Sequence, residues 1–297
     1  YLRVGTSYFK KSLYPTLSGD RIEILLPWSP ELIRQDHGKN ALSLVEIFDG
    51  FICFPENRLE FYLKNHQGYY NTYHSLSKNP IEGDITNTKK FITHIFGEQT
   101  EIGFDYLQLL YLKPTQILPI LCLVSKERAT GKSTFLKWLK EIFEYNLTYL
   151  TNDSFSSNFN ADWASKLLIC IDEVLFQTEI LTERIKYLST TNVNKIEAKG
   201  KDRKEIEFFG KFILCSNNET SFIKIDADEI RFWVRKIDSY EKEDVHFLSK
   251  LIKEIPAFLY FLSKRQLSTE NKSRMWFTPH QIKTKALQKL VKFNCNK

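Results

Sequence analysis

One stretch constrains this chain more than any other: residues 120–139, ILCLVSKERATGKSTFLKWL. The apolar run over 117–124 predicts a strand buried in a parallel sheet. A short polar loop follows over 125–130. Gly131, Lys132, Ser133 and Thr134 then open a segment whose apolar residues Phe135, Leu136, Leu139 and Ile142 recur at helical spacing. Strand, loop, Gly-Lys-Ser and helix in that order make an anion site, because backbone N–H groups at a helix N-terminus face the anion and the helix dipole adds to their pull. In a phosphate-binding loop of this kind Lys132 reaches the β- and γ-phosphates, Ser133 sets a hydroxyl on Mg²⁺, and Gly131 lets the backbone come close. Ala129, Thr130, Gly131, Lys132, Ser133 and Thr134 are therefore the candidate nucleotide-binding residues. The pattern G-x-x-x-x-G-K-[ST] asks for glycine where this chain has Lys126. A bare Gly-Lys-Ser is also an ordinary surface sequence, so the assignment depends on what lies downstream.

Downstream, residues 166–173 read KLLICIDE, an apolar run ending in two carboxylates. A strand buried on both faces is apolar throughout. Its C-terminal end is where ligands bind in open α/β sheets, so it delivers Asp172 to the Mg²⁺ shell beside Ser133. Glu173, next in the chain, can polarise an attacking water. The plainer reading is a core strand ending in solvated acids. Two motifs in the right order, with Asp172 40 residues after Lys132, weigh against it.

Residues 179–188 predict an amphipathic helix through Ile180, Ile185 and Leu188. Two alternating runs, 195–199 and 204–209, flank Gly200 and predict a hairpin. Its tip region carries Lys199, Lys201, Arg203 and Lys204, enough cations to touch a phosphate backbone, although most charged turns are simply solvated. The second arm runs into a buried strand, 212–216, ending in Ser216, Asn217 and Asn218. Asn217 there can hydrogen-bond the attacking water or the γ-phosphate. Arg231 precedes another apolar strand, 232–234, where a guanidinium can act on a neighbouring subunit's γ-phosphate. A surface salt bridge with Asp228 or Glu229 is the competing role for Arg231.

Composition bounds the rest. The chain has 297 residues, 42% hydrophobic and 26% charged, which is a globular protein with a core. Its 42 Lys and Arg against 36 Asp and Glu leave a net charge of +6, which permits a nucleic-acid partner without demanding one. No apolar run approaches the roughly 20 residues that span a bilayer, so no membrane role is expected. No signal peptide is visible in these residues, and a cytoplasmic location, in a bacterial host, is the expectation. The chain begins Tyr-Leu-Arg, which reads as a fragment boundary. Cys53, Cys122, Cys170, Cys215 and Cys295 form no C-x-x-C and read as reduced thiols. His37, His66 and His74 lack metal-ligand spacing.

The expected organisation is an N-terminal α+β module over 1–75, a linker and small helical subdomain over 76–113, an α/β phosphate-loop core over 114–239, and a helical region over 240–297. In the module, 22–26 is strand-like, Trp28-Ser-Pro begins a short helix, and Tyr69, Tyr70, Asn71 and Tyr73 form a cluster that could stack on bases but is expected to pack on the next domain. Residues 88–96 and 104–112 are helical, and 152–160 is expected to be a polar loop. Residues 243–264 are helical, with Pro256 expected to kink or split them. Thr278 and Pro279 start a final helix carrying Lys283, Lys285, Lys289 and Lys292.

With four motifs in order, SKERATGKST, LLICIDE, KIEAKGKDRKEIEFF with FILCSNN, and DEIRFWV, the chain resembles superfamily 3 helicases of the phage and plasmid primase-helicase type. The resemblance covers about residues 105–237. It implies an AAA+-like P-loop NTPase core with a parallel sheet. It also implies a ring, commonly hexameric, with ATP and Mg²⁺ at the subunit interfaces and hairpins that line a channel and pull one DNA strand. By position it makes Lys132, Asp172, Glu173, Asn217 and Arg231 the catalytic set, with Asn217 as sensor and Arg231 as the finger given to a neighbour. Ser133 and Asp172 serve the metal, and Lys199 or Lys201 the DNA. The implied partners are single-stranded DNA or a fork, further copies of the chain, and a primase domain or protein lying upstream of Tyr1. An ATPase that remodels or loads replication proteins without unwinding, and a DNA-binding module with a structural nucleotide, stay open beside this reading.

Overall fold

The computed structural model describes residues 1–15, 21–176, 178–197, 204–226, 229–240 and 244–295. The chain divides into two units, Tyr1–Phe54 with Phe61–His74, and Pro55–Glu60 with Ser75–Lys297.

The smaller unit contains β1 (Leu2–Val4), β2 (Ser7–Pro15), β3 (Arg21–Trp28), α1 (Pro30–His37), β4 (Glu46–Phe48), β5 (Gly50–Ile52), β6 (Asn65–His66) and β7 (Tyr69–Asn71). Its strands form one sheet in the order β3-β2-β1-β4 and another in the order β5-β7-β6. The helix begins where the sequence allows it: the Ser29 hydroxyl accepts the Leu32 N–H and Pro30 occupies the first turn. Tyr70 packs edge-on against Phe48 at 5.1 Å and Phe51 at 6.0 Å, and its hydroxyl donates to Glu23 at 2.9 Å. That partner set corrects the expectation for this tyrosine: it fills its own unit's core with Leu2, Val4 and Phe48.

The larger unit runs α2 (Thr86–Phe96), α3 (Thr100–Leu112), β8 (Ile120–Val124), α4 (Lys132–Phe143), β9 (Leu147–Leu150), α5 (Asn152–Ser156), β10 (Leu168–Ile171), α6 (Glu179–Leu188), β11 (Val193–Ile196), β12 (Lys204–Glu207), β13 (Lys211–Ser216), β14 (Phe232–Lys236), α7 (Phe247–Lys264), α8 (Pro279–Ile282) and α9 (Lys285–Cys295). Five strands form a sheet in the order β14-β8-β13-β10-β9, and every adjacent pair is parallel. This is a mixed α/β fold. Strands β8, β10 and β13 are buried at every residue, which is why they read as unbroken apolar runs.

The strand order positions the site. From β8 the chain crosses to β9 at the far edge, returns through β10 and β13, and finally lays β14 on the other side of β8. The direction of winding therefore changes at β8, and a crevice opens beyond the C-terminal end of that strand.

Three local expectations are corrected. Residues 152–156 are α5, not loop, because the Thr151 hydroxyl accepts the Ser154 N–H and caps a short turn. Pro256 lies inside α7 without splitting it. The C-terminal segment is two helices rather than one: Thr284 donates to the Val234 carbonyl and accepts the Leu287 N–H, which starts α9 afresh. The capping box at Thr278 and Gln281 starts α8 as the sequence suggests.

Candidate active site

The loop from β8 to α4 begins at Ser125, whose N–H donates to the Ser216 carbonyl at 3.2 Å. Positive φ occurs at Ala129 (+53°) and Gly131 (+86°), and not at Lys126. The departure from glycine at 126 therefore imposes no left-handed strain. Glycine is required at 131 instead, where a Cβ would also sit 3.2 Å from the Phe91 ring.

Two carbonyls of this loop are tied back. The Ala129 carbonyl accepts the Tyr240 N–H at 3.2 Å, and the Thr130 carbonyl bonds His94 Nε2 at 3.0 Å. A carbonyl only accepts, so His94 carries its proton on Nε2. These bonds pin the backbone on one side and leave the start of α4 facing the crevice.

Lys132 is buried, and Nζ donates to the Thr130 hydroxyl at 3.2 Å. Burial lowers its pKa, and the negative charge of Asp172 opposes that shift. The Ser133 hydroxyl, exposed at the first turn of α4, donates to Asp172 Oδ2 at 3.1 Å. Thr134 is half-buried beside it. The structure thus brings Lys132, Ser133 and Asp172 together at the ends of β8 and β10.

Asp172 and Glu173 are both exposed beyond β10. Glu173 holds a positive φ of +57°, and its N–H donates to Asp172 Oδ1 at 3.1 Å. A non-glycine residue there is uncommon and marks a turn held by its surroundings. Asn152 does the holding: its amide donates to the Glu173 carbonyl at 3.2 Å and accepts the Leu175 N–H at 3.1 Å. Sequence reading missed Asn152, because only the capping Thr151 before it gives any local signal.

Asn217 follows β13 and is exposed, whereas Asn218 is consumed by its own turn. The Asn218 side chain accepts the Thr220 and Ser221 N–H groups at 3.0 and 2.8 Å and donates to the Ser221 hydroxyl at 2.6 Å. Because β13 lies between β8 and β10, Asn217 ends the strand between the loop and the carboxylates.

Arg231 is at the other end of the sheet. Phe232 pairs with Ile120 and Lys236 with Val124, so Arg231 is level with the start of β8. About four residues of strand, roughly 13 Å, separate that level from the loop. Its guanidinium pairs with Glu229 at 3.1 Å, and Lys186 pairs with the same carboxylate at 3.2 Å. The salt bridge weighed for Arg231 is thus formed with Glu229; Asp228 lies outside the described residues.

The β11–β12 hairpin is antiparallel, with Ile196 opposite Lys204. Lys204 is exposed, and Lys199, Lys201 and Arg203 lie outside the described residues. Asn160 anchors the hairpin, donating to the Lys195 carbonyl and accepting the Glu197 N–H, each at 2.8 Å.

Cys122, Cys170 and Cys215 lie buried in the central strands as free thiols, and burial pushes their pKa values up. Among the described residues no cluster of three or more His, Cys, Asp or Glu side chains can hold a metal by itself. Nor, among them, is any helix long and apolar enough to cross a membrane.

With this geometry in view, the comparisons with known proteins concern mainly the fold. A family model described as a family of unknown function, DUF5906, matches residues 123–235. The matched segment begins in β8 and ends in β14, so it holds the loop, both carboxylates, Asn217 and Arg231. No curated protein matches the chain. The fold is that of the NrS-1 C-terminal region. Its apo structure (residues 305–718) aligns with a TM-score of 0.72 at 17% identity, over 91% of this chain and 68% of that one. An A-form apo structure of the same region aligns with a TM-score of 0.71 at 18% identity and the same coverage.

Proposed function

We propose that this chain is an ATP-hydrolysing motor that translocates on single-stranded DNA during replication of a phage or mobile element. In this reading it is a P-loop, AAA+-like helicase of the superfamily 3 kind. The observation that carries the proposal is the meeting of Lys132, Ser133 and Asp172 at the crevice where the winding of the sheet reverses. Anion-binding backbone, a cationic side chain, a hydroxyl and a carboxylate in one crevice are the set a nucleoside triphosphate with Mg²⁺ requires.

The residues present fit such a ligand. Mg²⁺ keeps several waters and takes one or two protein oxygens besides phosphates. Ser133 and Asp172 offer those oxygens 3.1 Å apart, and a denser cluster is not needed. Bound MgATP would supply the scissile phosphoanhydride and the charge neutralisation. The remaining work belongs to the chain. The N–H groups at the start of α4 and Lys132 hold the phosphates. Asp172 accepts from Ser133 and keeps that hydroxyl aimed. Glu173 receives a proton from the attacking water at its carboxylate, and Asn217 orients that water. Arg231 stands too far from its own loop to act there, which supports a role on a neighbouring copy and therefore a ring, in this reading a hexamer. The hairpin carrying Lys199, Lys201, Arg203 and Lys204 is the proposed DNA contact, and an upstream primase domain or protein is the proposed partner.

Displacement of a labelled strand from a forked duplex, measured together with ATP hydrolysis, tests the reading. Unwinding that requires ATP supports it. Hydrolysis without unwinding would favour a protein-remodelling ATPase, and nucleotide binding without hydrolysis a DNA-binding module with a structural nucleotide.

A further inference from the structure

The last helix carries a row of lysines that none of the motifs covers. Lys285, Lys289 and Lys292 recur along α9 at i, i+4 and i+7 and are exposed, so they share one side of the helix. Leu287 and Leu290 are buried on the opposite side. Thr284 fixes where the row begins, because its bonds to the Val234 carbonyl and the Leu287 N–H hold the start of α9 against β14. There the first turn of α9 opens onto a cavity of about 810 Å³ at the β14 edge of the sheet. The sheet lines it with Val124, Arg235 and Lys236, and the C-terminal segment with Lys283, Lys285 and Lys289. None of residues 125–134 lines it, so it is separate from the phosphate loop. The β11–β12 hairpin runs into the start of β13, whereas the cavity lies by the last residues of β8 and β14, at the other end of the sheet.

Five Lys and Arg side chains line the cavity against three carboxylates, Glu98, Glu219 and Asp238. Glu219 is already engaged: it accepts from Lys289 at 2.8 Å, pairs with Lys236 at 3.8 Å and holds the Lys126 N–H. Glu98 and Asp238 act on Arg235, their charges opposing the lowering of its pKa by burial. Arg235 spends one of its five N–H donors, on Gln99 Oε1 at 3.2 Å. The Gln99 amide donates in turn to the carbonyls of Gln281 at 2.7 Å and Lys283 at 3.3 Å, which ties the two walls of the cavity together. Among the described residues the amines of Lys283 and Lys285 have no partner, so the preformed cavity keeps cationic donors to offer.

We propose that this cavity and the lysine row of α9 form a second phosphate site, which takes a chain of phosphates held by Arg235, Lys283 and Lys285 in the cavity and followed by Lys289 and Lys292 along the helix. The N–H groups at the start of α9 add to the pull. From Lys285 to Lys292 the row runs about 10 Å along the axis, more than a single phosphate occupies. A row of cations along one helix side matches a ligand whose charges recur along one edge, as they do in a polyphosphate or in the backbone of a nucleic-acid strand. The site stands on its own lining residues, whether or not the loop at Lys132 binds a nucleotide.

The test uses the full chain carrying Lys132→Ala, which removes the loop's own hold on phosphate, and reads equilibrium binding of a labelled oligo(dT) and of inorganic tripolyphosphate across a salt series. Any contact made by the hairpin is common to all variants and cancels in the comparison. Adding Lys283→Glu with Lys285→Glu should weaken binding on the order of tenfold. Lys285→Ala and Lys292→Ala should each lower the slope of log affinity against log salt for oligo(dT) by about 0.7. Both positions are exposed, and Lys285→Arg, which keeps the charge, should bind as its parent does. Loss of oligo(dT) alone in the charge-reversed variant assigns the site to a nucleic-acid strand, and loss of tripolyphosphate as well extends it to free polyphosphates. Affinities for both probes that are the same in the parent and the charge-reversed variant, or no binding of either, would overturn the site. Displacement of oligo(dT) by poly-glutamate but not by tripolyphosphate would also overturn it, and would assign the cavity to an acidic protein segment.

Discussion

Ser133 donates to Asp172 across 3.1 Å although 39 residues separate them, and the bond joins the first turn of α4 to the end of β10. Strand β8, which leads into α4, and strand β10 are not neighbours: β13 lies between them. The crevice is thus closed by a pair whose members reach over the end of a third strand, and that strand carries Asn217. Ser133→Ala should lower ATP turnover by about 100-fold while shifting the unfolding midpoint little, because Ser133 is exposed. Asp172→Asn should do likewise, and titration with Mg²⁺ should show a raised requirement in both.

Gly131 and Lys126 separate backbone geometry from motif. Gly131→Ala forces an alanine to φ +86° beside Phe91 and should reduce unfolding free energy by about 1–2 kcal/mol, measured by urea denaturation. Lys126→Gly restores the textual motif at a position without positive φ. It should leave nucleotide affinity within about twofold.

Asn217 and Asn218 should respond in opposite ways. Asn218→Ala removes the acceptor of two backbone N–H groups and should cost about 1–3 kcal/mol of stability. Asn217→Ala should leave stability within about 0.5 kcal/mol and lower hydrolysis. Thermal unfolding and steady-state ATPase on the pair check this.

The same contrast shows what was legible in the sequence. The strands could be read because burial on both faces makes β8, β10 and β13 continuously apolar, and α6 because its apolar residues keep the helical period. Neither signal says which strands are neighbours, so the interposed β13 and the distance of Arg231 from its own loop were not readable. Nor was Asn152, whose partners are the backbone atoms of Glu173 and Leu175, more than 20 residues away. The cavity beside the phosphate loop draws Phe91, Gly131, Tyr240 and Phe247 from four separate segments, and each looks like an ordinary core or loop residue in its own neighbourhood. Of the two outcomes expected at Pro256, splitting does not occur: α7 runs on through it as one helix, its packing outweighing one missing hydrogen bond.

Lys211 gives the chain a pH signature. It is fully buried at the start of β13, where its amine donates to the carbonyls of Pro114 and Phe209, and burial lowers its pKa to about 7. In the unfolded chain a lysine titrates near 10.4. Between about pH 7 and 10 the unfolded state therefore binds more protons than the folded one, and this group makes stability rise with pH. Urea unfolding across that window should show the rise, and Lys211→Met should flatten it.

Arg231 acts in trans if the proposed ring forms. Arg231→Ala and Lys132→Ala should each be inactive alone. Mixed in equal amounts they should recover part of the hydrolysis, because a neighbour with intact Arg231 can then serve an intact loop. No recovery, with ring formation verified by sizing, would assign Arg231 to its bond with Glu229.

The most direct measurement is ATP hydrolysis with and without single-stranded DNA, on the unaltered chain and on Lys132→Ala, at a concentration where sizing reports an assembly. The account predicts hydrolysis that rises when DNA is added and is lost in the variant. Hydrolysis unchanged by Lys132→Ala, or none at all from an assembled chain supplied with Mg²⁺ and DNA, would contradict it.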